Sequence, residues 1–214
     1  MEKDKWMSTP PSNWNLYAQN SLTPLIRAHY FFTVWRNYLC LLYRLPISGE
    51  SLLDIGSSTG QISLRLLKKY QFNPTLVDTS SSALGQAYQL YQSNGIKPTL
   101  ALKNVLKLDL SKKFDFVHSH GLLEHFIGND RQQAFNNHLK HVRLGGWLIC
   151  WVPTPDLLYR INRWYLEKTN QWIFGFEQPL TLKEFLHLFL EKPFVIRRIR
   201  HVPGWLGIAA QRQD

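Results

Sequence analysis

The sequence predicts a doubly wound α/β fold, and two observations carry the prediction. Residues 51–63 read as a short buried strand, a turn of small residues and then a helix with one apolar face, which is the first unit of such a sheet. Near the other end, two strand-like segments, 194–202 and 205–211, are joined only by Pro203-Gly204. Because so short a link forces an antiparallel hairpin, we expect a mostly parallel sheet with an antiparallel strand near its C-terminus.

Bulk composition indicates one globular domain. The chain has 214 residues, of which 44% are hydrophobic and 19% charged, enough for a sizeable core. Its net charge of +10 is spread along the chain, which favours a basic surface over a nucleic-acid or anionic-lipid partner. We therefore expect no DNA partner and, less firmly, no RNA partner.

Cysteine usage predicts a reducing compartment. Cys40 and Cys150 are far apart in sequence, and we interpret both as free, buried thiols in a cytoplasmic protein. No apolar segment of the signal-peptide type opens the chain, which agrees with that location. There is no pair of cysteines with metal-ligand spacing, and we predict no metal site.

The first 50 residues are predicted to form an N-terminal arm and a covering helix, and residues 51–214 the main domain. The helix, at about 25–45, places apolar residues on one face with arginines beside them. It is too short and too charged to span a membrane. Two interpretations remain: packing over the sheet edge, which we favour, and peripheral contact with a membrane surface.

Alternating strand and helix signals fill the middle of the chain. The predicted strands are 75–78, 99–102, 114–120 and 147–152, and the predicted helices are about 83–94, 131–142 and 181–191. The turn at Leu144-Gly145-Gly146 is expected to precede the fifth strand. Strands that alternate with helices in this way favour parallel pairing.

The turn after the first strand carries information about its ligand. A dinucleotide site has the pattern G-x-G-x-x-G, but Ser58 and Gln61 stand at the second and third glycine positions. Asp54 precedes the turn and would repel a pyrophosphate, whereas it suits a cation without phosphates, such as S-adenosylmethionine. Asp78 ends the second strand, where an acid can accept both ribose hydroxyls. It could also cap the next helix, but its spacing from the turn favours the cofactor contact.

Two motifs carry a family resemblance. The run from Asp54 to Gly60, DIGSSTG, resembles motif I of the class I S-adenosylmethionine-dependent methyltransferases, D/E-x-G-x-G-x-G, with Ser58 for the middle glycine. Residues 114–126, FDFVHSHGLLEHF, resemble the fourth-strand signature of that family. The resemblance spans about 51–212 and implies a Rossmann-like, seven-stranded sheet that is mostly parallel with a C-terminal antiparallel strand.

The resemblance also implies site residues. The cofactor would be bound by Asp54, Gly56, Ser57, Ser58, Gly60, Gln61, Asp78, Thr79, Asn104, Val105, Ser119 and His120. Asn104 stands where the family usually has the aspartate that accepts from the adenine amino group. The catalytic candidates are His120, Glu124 and His125, since a base helps when the acceptor must lose a proton. Alternatively, His125 holds its loop by a hydrogen bond and Glu124 caps a helix.

Residues 154–178 interrupt the alternation with six aromatic residues. We interpret this segment as an inserted helical lid over the acceptor pocket, or as a helix whose aromatics belong to the core. Three functions remain open: a methyltransferase for a small-molecule acceptor, which we favour; a membrane-surface methyltransferase for a lipid or quinone; and a non-catalytic module that binds S-adenosylmethionine or a partner protein.

Overall fold

The structure is a computed structural model that describes residues 24–172 and 174–213, with the side chains of α1 described from residue 32. The predicted N-terminal arm up to residue 23 lies outside the described residues. Seven strands form one sheet: β1 (Ser51–Ile55), β2 (Asn73–Asp78), β3 (Thr99–Leu102), β4 (Phe114–His120), β5 (Val142–Pro153), β6 (Phe194–Val202) and β7 (Trp205–Arg212).

The sheet order is β3-β2-β1-β4-β5-β7-β6. The first five strands pair in parallel, and β7 is antiparallel to both of its neighbours, β5 and β6. The predicted mostly parallel seven-stranded sheet with its C-terminal antiparallel strand is therefore confirmed. The strand order reverses between β1 and β4, and a crevice at the carboxyl ends of such strands is where doubly wound sheets bind ligands.

Helices cover both faces of the sheet, and each face has its own hydrophobic core. The helices are α1 (Pro24–Leu42), α2 (Gln61–Tyr70), α3 (Ser81–Gln92), α4 (Gly128–His141), α5 (Leu157–Lys168) and α6 (Leu182–His187), and 3₁₀ turns occupy Val105–Lys107 and Leu123–His125. Side chains of α1, α2 and α3 pack on one face, and side chains of α4 and α6 on the other. The sheet is thus a middle layer that is buried on both sides.

Helix α1 packs against the sheet, as the favoured interpretation predicted. Val34, Tyr38 and Leu41 are buried in the same core as β1 and β4. Near its C-terminus, Cys40 is exposed, so the expectation that both cysteines are buried is wrong for this one; Cys40 lies on the outward side of the helix. Among the described residues, no helix is long and apolar enough to cross a membrane.

Two predicted boundaries are wrong. The turn Leu144-Gly145-Gly146 lies inside β5, which begins at Val142 and bulges before Trp147 because Phe114 pairs with Val142 and Phe116 with Trp147. Helix α6 ends at His187, where the chain continues in turns. Its capping box forms as expected, since Thr181 and Glu184 exchange hydrogen bonds.

Candidate functional site

The turn between β1 and α2 is held by backbone hydrogen bonds to the end of β2. Gly56, Ser58 and Gly60 have φ of 72°, 48° and 68°, which is the left-handed region that glycine adopts without strain. The N–H groups of Gly56 and Ser57 donate to the carbonyl of Val77 at 2.8 and 3.0 Å. Ser58, although not a glycine, therefore adopts a left-handed backbone conformation.

Two carboxylates flank this turn, one from each of the neighbouring strands. Asp54 is 3% exposed, and burial raises its pKa to about 7, an effect that Ser63 opposes and Asp78 reinforces. Its Oδ2 accepts from Ser63 Oγ at 2.7 Å, and its Oδ1 lies 3.4 Å from His118 Nε2. Because burial lowers the pKa of His118 to about 3, that imidazole is neutral and does not neutralise Asp54.

Asp78 lies at the mouth of the same turn. Its Oδ2 accepts from the Ser58 N–H and its Oδ1 from the Ser80 N–H, both at 2.8 Å, and burial raises its pKa. The alternative interpretation of Asp78 as a helix cap is wrong, because the side chain of Ser80 caps α3 by accepting from Ala83. Each carboxylate oxygen can accept a further hydrogen bond.

The third predicted contact group follows β3. Asn104 Oδ1 accepts from the Leu106 N–H at 2.8 Å and so caps the turn Val105–Lys107. An adenine amino group would have to share this oxygen. Val105 is buried, Gln61 is partly exposed and Thr79 is exposed.

At the end of β4, the predicted residues Ser119 and His120 point to opposite faces of the sheet. Ser119 Oγ donates to Cys150 Sγ at 3.6 Å. His120 stacks on Trp205, with ring centroids 4.6 Å apart and planes 20° apart. Burial, together with His118, lowers the pKa of His120 to about 3, so this ring is a neutral imidazole near pH 7.

After β4, two titratable side chains lie next to a glutamate from a later part of the chain. We call Glu124, His125 and Glu177 the carboxylate–imidazole cluster. His125 Nε2 lies 4.0 Å from both Glu124 Oε1 and Glu177 Oε1. Glu124 is 1% exposed, and burial, then the charge of Glu177, raises its pKa well above the usual value. Burial also raises the pKa of Glu177 to about 7.

Hydrogen bonds fix the cluster from outside. His125 Nδ1 donates to the Phe176 carbonyl at 2.7 Å, so the alternative that His125 holds its loop is confirmed. Tyr159 Oη donates to Glu177 Oε2 at 2.9 Å. The alternative that Glu124 caps a helix is wrong for α4, whose N-cap is Ile127 without a side-chain bond.

Comparison with known protein families finds a match that begins in β1 and ends in β5. Residues 52–146 match the model of a family described as a methyltransferase domain. This segment is similar to a methyltransferase domain. It includes both motifs on which the predicted family resemblance depends, and that prediction is confirmed. A search of curated proteins finds no significant match.

Solved methyltransferases share the fold of the whole chain at low sequence identity. Magnesium protoporphyrin IX methyltransferase from Synechocystis, with bound S-adenosylhomocysteine, is 18% identical, with a TM-score of 0.71 over 99% of this chain and 97% of that one. N-methyltransferase NodS from Bradyrhizobium japonicum, also with S-adenosylhomocysteine, is 16% identical, with a TM-score of 0.66 over 99% and 96%. A methyltransferase from Clostridium acetobutylicum is 14% identical, with a TM-score of 0.62 over 100% and 96%.

The predicted lid lies beyond the matched methyltransferase domain. No described residue of α5 is buried, so the alternative that its aromatics belong to the core is wrong for this helix. Its exposed apolar residues recur at helical spacing: Leu157, Leu158, Ile161, Trp164 and Tyr165. After the helix, Trp172 packs edge-on against Phe174 at 5.0 Å.

The sequence did not single out Glu177, nor the contacts of Tyr159 and Arg163 with it. Arg163 Nη1 donates to the Glu177 carbonyl at 2.9 Å and to Tyr159 Oη at 3.3 Å. The available signal was weak: one acid at the end of the aromatic run Phe174–Glu177. Distance in sequence hid its proximity to His125.

Proposed function

We propose that the chain is a methyltransferase that transfers a methyl group from S-adenosylmethionine to a small-molecule acceptor. The observation that carries the proposal is the pair of carboxylates, Asp54 and Asp78, on either side of a turn with positive φ at the switch point of the sheet. Two acids so placed favour a cationic ligand and disfavour a pyrophosphate.

The groups around the turn fit this cofactor. Asp78 keeps acceptor capacity for hydroxyl donors, and the buried Ser57 Oγ has no hydrogen-bond partner among the described residues. The methyl group on the sulfonium is supplied by the cofactor, so the chain has to bind, orient and exclude water. We propose that the loop Gly56–Gly60 with Gln61, the β2 end with Thr79, and the residues after β3 and β4 (Asn104, Val105, Ser119 and His120) form this site.

The structural neighbours support the cofactor but do not identify the acceptor. Magnesium protoporphyrin IX methyltransferase and NodS are both solved with S-adenosylhomocysteine, and the former also with S-adenosylmethionine. Only one of the two names gives an acceptor, magnesium protoporphyrin IX, and the other gives the methylated atom, nitrogen. We therefore extend only the class of acceptor, a small molecule, to this chain.

The acceptor side is proposed to be the space bordered by the carboxylate–imidazole cluster and α5. Glu124, His125 and Glu177 supply the polar groups there, and Tyr159 links Glu177 to α5. The ring of His120, stacked on Trp205, is proposed to border the same space. The predicted catalytic roles of His120, Glu124 and His125 rest on this position.

Calorimetric titration of the full chain with S-adenosylmethionine, S-adenosylhomocysteine and NAD⁺ tests the proposal. We expect both sulfur compounds to bind at one site per chain, and NAD⁺ at least about tenfold more weakly, a difference of about 1.4 kcal/mol. Tighter binding of NAD⁺ would reject the cofactor. Tight S-adenosylmethionine binding without methyl transfer to any of a panel of small acceptors would favour the non-catalytic module.

The membrane-surface alternative was based on α1 and on the net charge, and α1 no longer supports it. Val34, Tyr38, Leu41 and Leu42 on its apolar face are buried against the sheet. Sedimentation with anionic liposomes remains its test, and binding of the full chain at physiological salt would restore it. A cytoplasmic location and the absence of nucleic-acid partners remain predictions of the proposed function.

A further inference from the structure

Two buried hydroxyl groups connect α3 with the Asp54 carboxylate at the end of β1. Ser63 Oγ donates to Asp54 Oδ2 at 2.7 Å, and Tyr91 Oη donates to Ser63 Oγ at 2.9 Å. Ser63 lies on α2 and Tyr91 on α3, and both side chains are fully buried. We call these two side chains the hydroxyl pair. Two helices that follow neighbouring strands thus meet at one carboxylate.

The direction of these hydrogen bonds follows from the number of protons, because each hydroxyl has only one. An ionised Asp54 can only accept, so the Ser63 proton points at Asp54 and the Ser63 oxygen accepts from Tyr91. Burial raises the pKa of Tyr91, so its phenol keeps this proton near neutral pH. The Gly60 carbonyl is 3.1 Å from both hydroxyls, but it also accepts from the Leu64 N–H at 2.9 Å. The hydroxyl pair is therefore free to stabilise the ionised carboxylate.

The cofactor turn is shaped to admit Tyr91. A Cβ atom at Gly60 would lie 2.9 Å from Tyr91 Cε2 and 3.1 Å from Leu76 Cδ1, closer than side chains normally approach. Gly60 also has a φ of 68°, which glycine adopts without strain. The glycine that ends the turn therefore lets the phenol ring come close to the backbone and reach Ser63.

Asp54 has no cationic partner among the described residues. The imidazole of His118, with Nε2 3.4 Å from Asp54 Oδ1, is neutral near pH 7 because burial lowers its pKa to about 3. The charge of Asp78, on β2, adds to the burial that raises the pKa of Asp54 to about 7, and Ser63 opposes that rise only in part. A buried carboxylate without a counter-charge is costly. The positive charge that is lacking is the one that the proposed cofactor carries.

We propose that Ser63 and Tyr91 are positioning residues that hold the Asp54 carboxylate ionised and oriented for the cationic cofactor. Both act through Asp54 and not by touching the cofactor. The inference rests on the proposed function, since the charge of Asp54 is useful only to a cationic ligand. A hydrogen bond to the ionised form lowers the pKa of a carboxyl group. Loss of either hydroxyl should therefore raise the pH at which the affinity for S-adenosylmethionine increases.

Calorimetric titration of the full chain with S-adenosylmethionine between about pH 6 and pH 9 tests the positioning role. Ser63→Ala is expected to move the midpoint of the affinity rise upward by about one pH unit or more, the effect of one hydrogen bond to a charged group. At pH 7 the ionised fraction of Asp54, and with it the affinity, then falls by up to about fivefold. Tyr91→Phe removes only the outer hydroxyl and should give a smaller shift in the same direction. Near pH 9 the affinity of both variants should approach that of the wild type, which a collapsed site would not do.

Matched controls separate the hydroxyl pair from general effects of the substitutions. Tyr88→Phe changes an exposed tyrosine of the same helix, and Ser111→Ala changes an exposed serine. Both are expected to keep the wild-type midpoint. Ser63→Thr keeps a hydroxyl and should have a midpoint closer to that of the wild type than Ser63→Ala. If Tyr88→Phe moved the midpoint as much as Tyr91→Phe, the hydroxyl pair would be rejected as the cause.

The carbon-13 resonance of the Asp54 carboxyl group gives a second readout that needs no ligand. In the ligand-free chain its midpoint is expected near pH 7, and Ser63→Ala should raise it by about one pH unit or more. An unchanged midpoint in folded Ser63→Ala would overturn the proposal, and an unchanged midpoint in folded Tyr91→Phe would overturn the role of Tyr91.

The two readouts together distinguish this proposal from the proposed function. A shifted Asp54 resonance with a pH-independent affinity would overturn the positioning role, because Asp54 would then not face the cofactor. If the wild-type chain bound no S-adenosylmethionine at any pH, the proposed function would be rejected and this role with it, whereas the resonance would still report the hydrogen bonds to Asp54.

Discussion

Asp78 is the residue whose removal tests the cofactor site most directly, because its two oxygens lie at the mouth of the turn. We expect Asp78→Ala to weaken S-adenosylhomocysteine binding by about ten- to a hundredfold, the loss of about 1.5–3 kcal/mol from a charged acceptor of ribose hydroxyls. Calorimetric titration measures the change. Asp109→Ala is the matched control, since Asp109 is an exposed aspartate paired with Lys140.

An unchanged dissociation constant in folded Asp78→Ala would remove this residue from the site. Asp78 also accepts from the Ser58 and Ser80 backbones, so the fold of the variant has to be checked by circular dichroism. Asp78→Asn provides a second variant, which keeps one acceptor oxygen and should lose less affinity than alanine.

Asp54 predicts a pH dependence of cofactor binding. Its pKa in the folded chain is raised to about 7, chiefly by burial, so it is mostly protonated at pH 6 and ionised at pH 8. A cationic ligand favours the ionised form. The affinity for S-adenosylmethionine should therefore rise from pH 6 to pH 8, by up to about tenfold.

The raised pKa of Asp54 also predicts how the stability of the folded chain depends on pH. Because the folded carboxyl holds its proton more tightly than the unfolded one, its contribution to stability is present below about pH 4 and is lost as the pH rises to about 7. Asp54→Asn should reduce the pH dependence of both the affinity for S-adenosylmethionine and the free energy of unfolding. A pH-independent wild-type affinity would show that Asp54 does not sense the ligand.

At the residue scale, the positions at strand ends were predictable and the partners from distant segments were not. Asp54 and Asp78 each end a hydrophobic run, and parallel strands bring such ends together at one edge. Glu177 follows an irregular aromatic segment with no period to place it. Its contact with the neighbourhood of Glu124 arises from a backbone hydrogen bond of Gln178, which no local pattern encodes.

Among the elements, α5 is the one whose sequence and environment disagree. It has an apolar face, but no described residue of the helix is buried. Arg163 and Tyr159 link it to the following segment. Tyr159 donates to the Glu177 side chain, and Arg163 donates to the Glu177 carbonyl and lies with its guanidinium 4.8 Å from the Trp172 ring centroid. A helix attached through so few contacts is suited to move as a lid.

Arg163→Ala should release this lid. Loss of hydrogen bonds worth about 1–2 kcal/mol in total predicts amide exchange that is faster by about 5- to 30-fold in α5 and in 174–178. Exchange in β1 and β5 should not change. Arg160→Ala is the control, because Arg160 is exposed on the same helix.

The lid hypothesis also predicts a response of the wild-type chain to ligand. S-adenosylhomocysteine together with an acceptor mimic should slow exchange in α5, since closure excludes water before transfer. Equal protection of residues 154–172 and 174–178 with and without ligands would contradict a lid. Equal exchange in Arg163→Ala and Arg160→Ala would show that Arg163 does not hold the helix.

Element boundaries show why the fold was easier to predict than the details. Long buried runs such as that of β4 predict strands reliably, because the strands are covered on both faces. The bulge in β5 could not be predicted, since a glycine pair before a strand equally signals a turn. The pattern of α6 continued beyond His187, but the helix ends there, and Leu188 and Phe189 are buried from a turn.

At the scale of the whole molecule, hydrogen bonds join α1, the first described helix, to the hairpin formed by β6 and β7. Arg198 of β6 donates from Nη1 to the carbonyls of Cys40 and Leu41 at 3.3 and 3.2 Å and also to that of Tyr43. These carbonyls lie at the C-terminus of α1, where the last C=O groups lack helical partners and a cation is favourable. These hydrogen bonds hold the C-terminus of α1 against the sheet face that includes Trp151 and Phe116.

Arg198→Ala is therefore expected to destabilise the folded chain by about 1–3 kcal/mol, the range for charge-assisted hydrogen bonds. For a domain of this size, the Tm should fall by about 2–4 °C for each kcal/mol. Arg197→Ala is the control, since the neighbouring Arg197 side chain is exposed and donates to the side chain of Gln211. For this variant we expect a change in the free energy of unfolding of about 0.5 kcal/mol or less. Urea unfolding of both variants tests this prediction. Equal midpoints for Arg197→Ala and Arg198→Ala would show that α1 is held by its buried apolar face alone. A lower midpoint only for Arg198→Ala would show that this residue holds the C-terminus of α1 to β6.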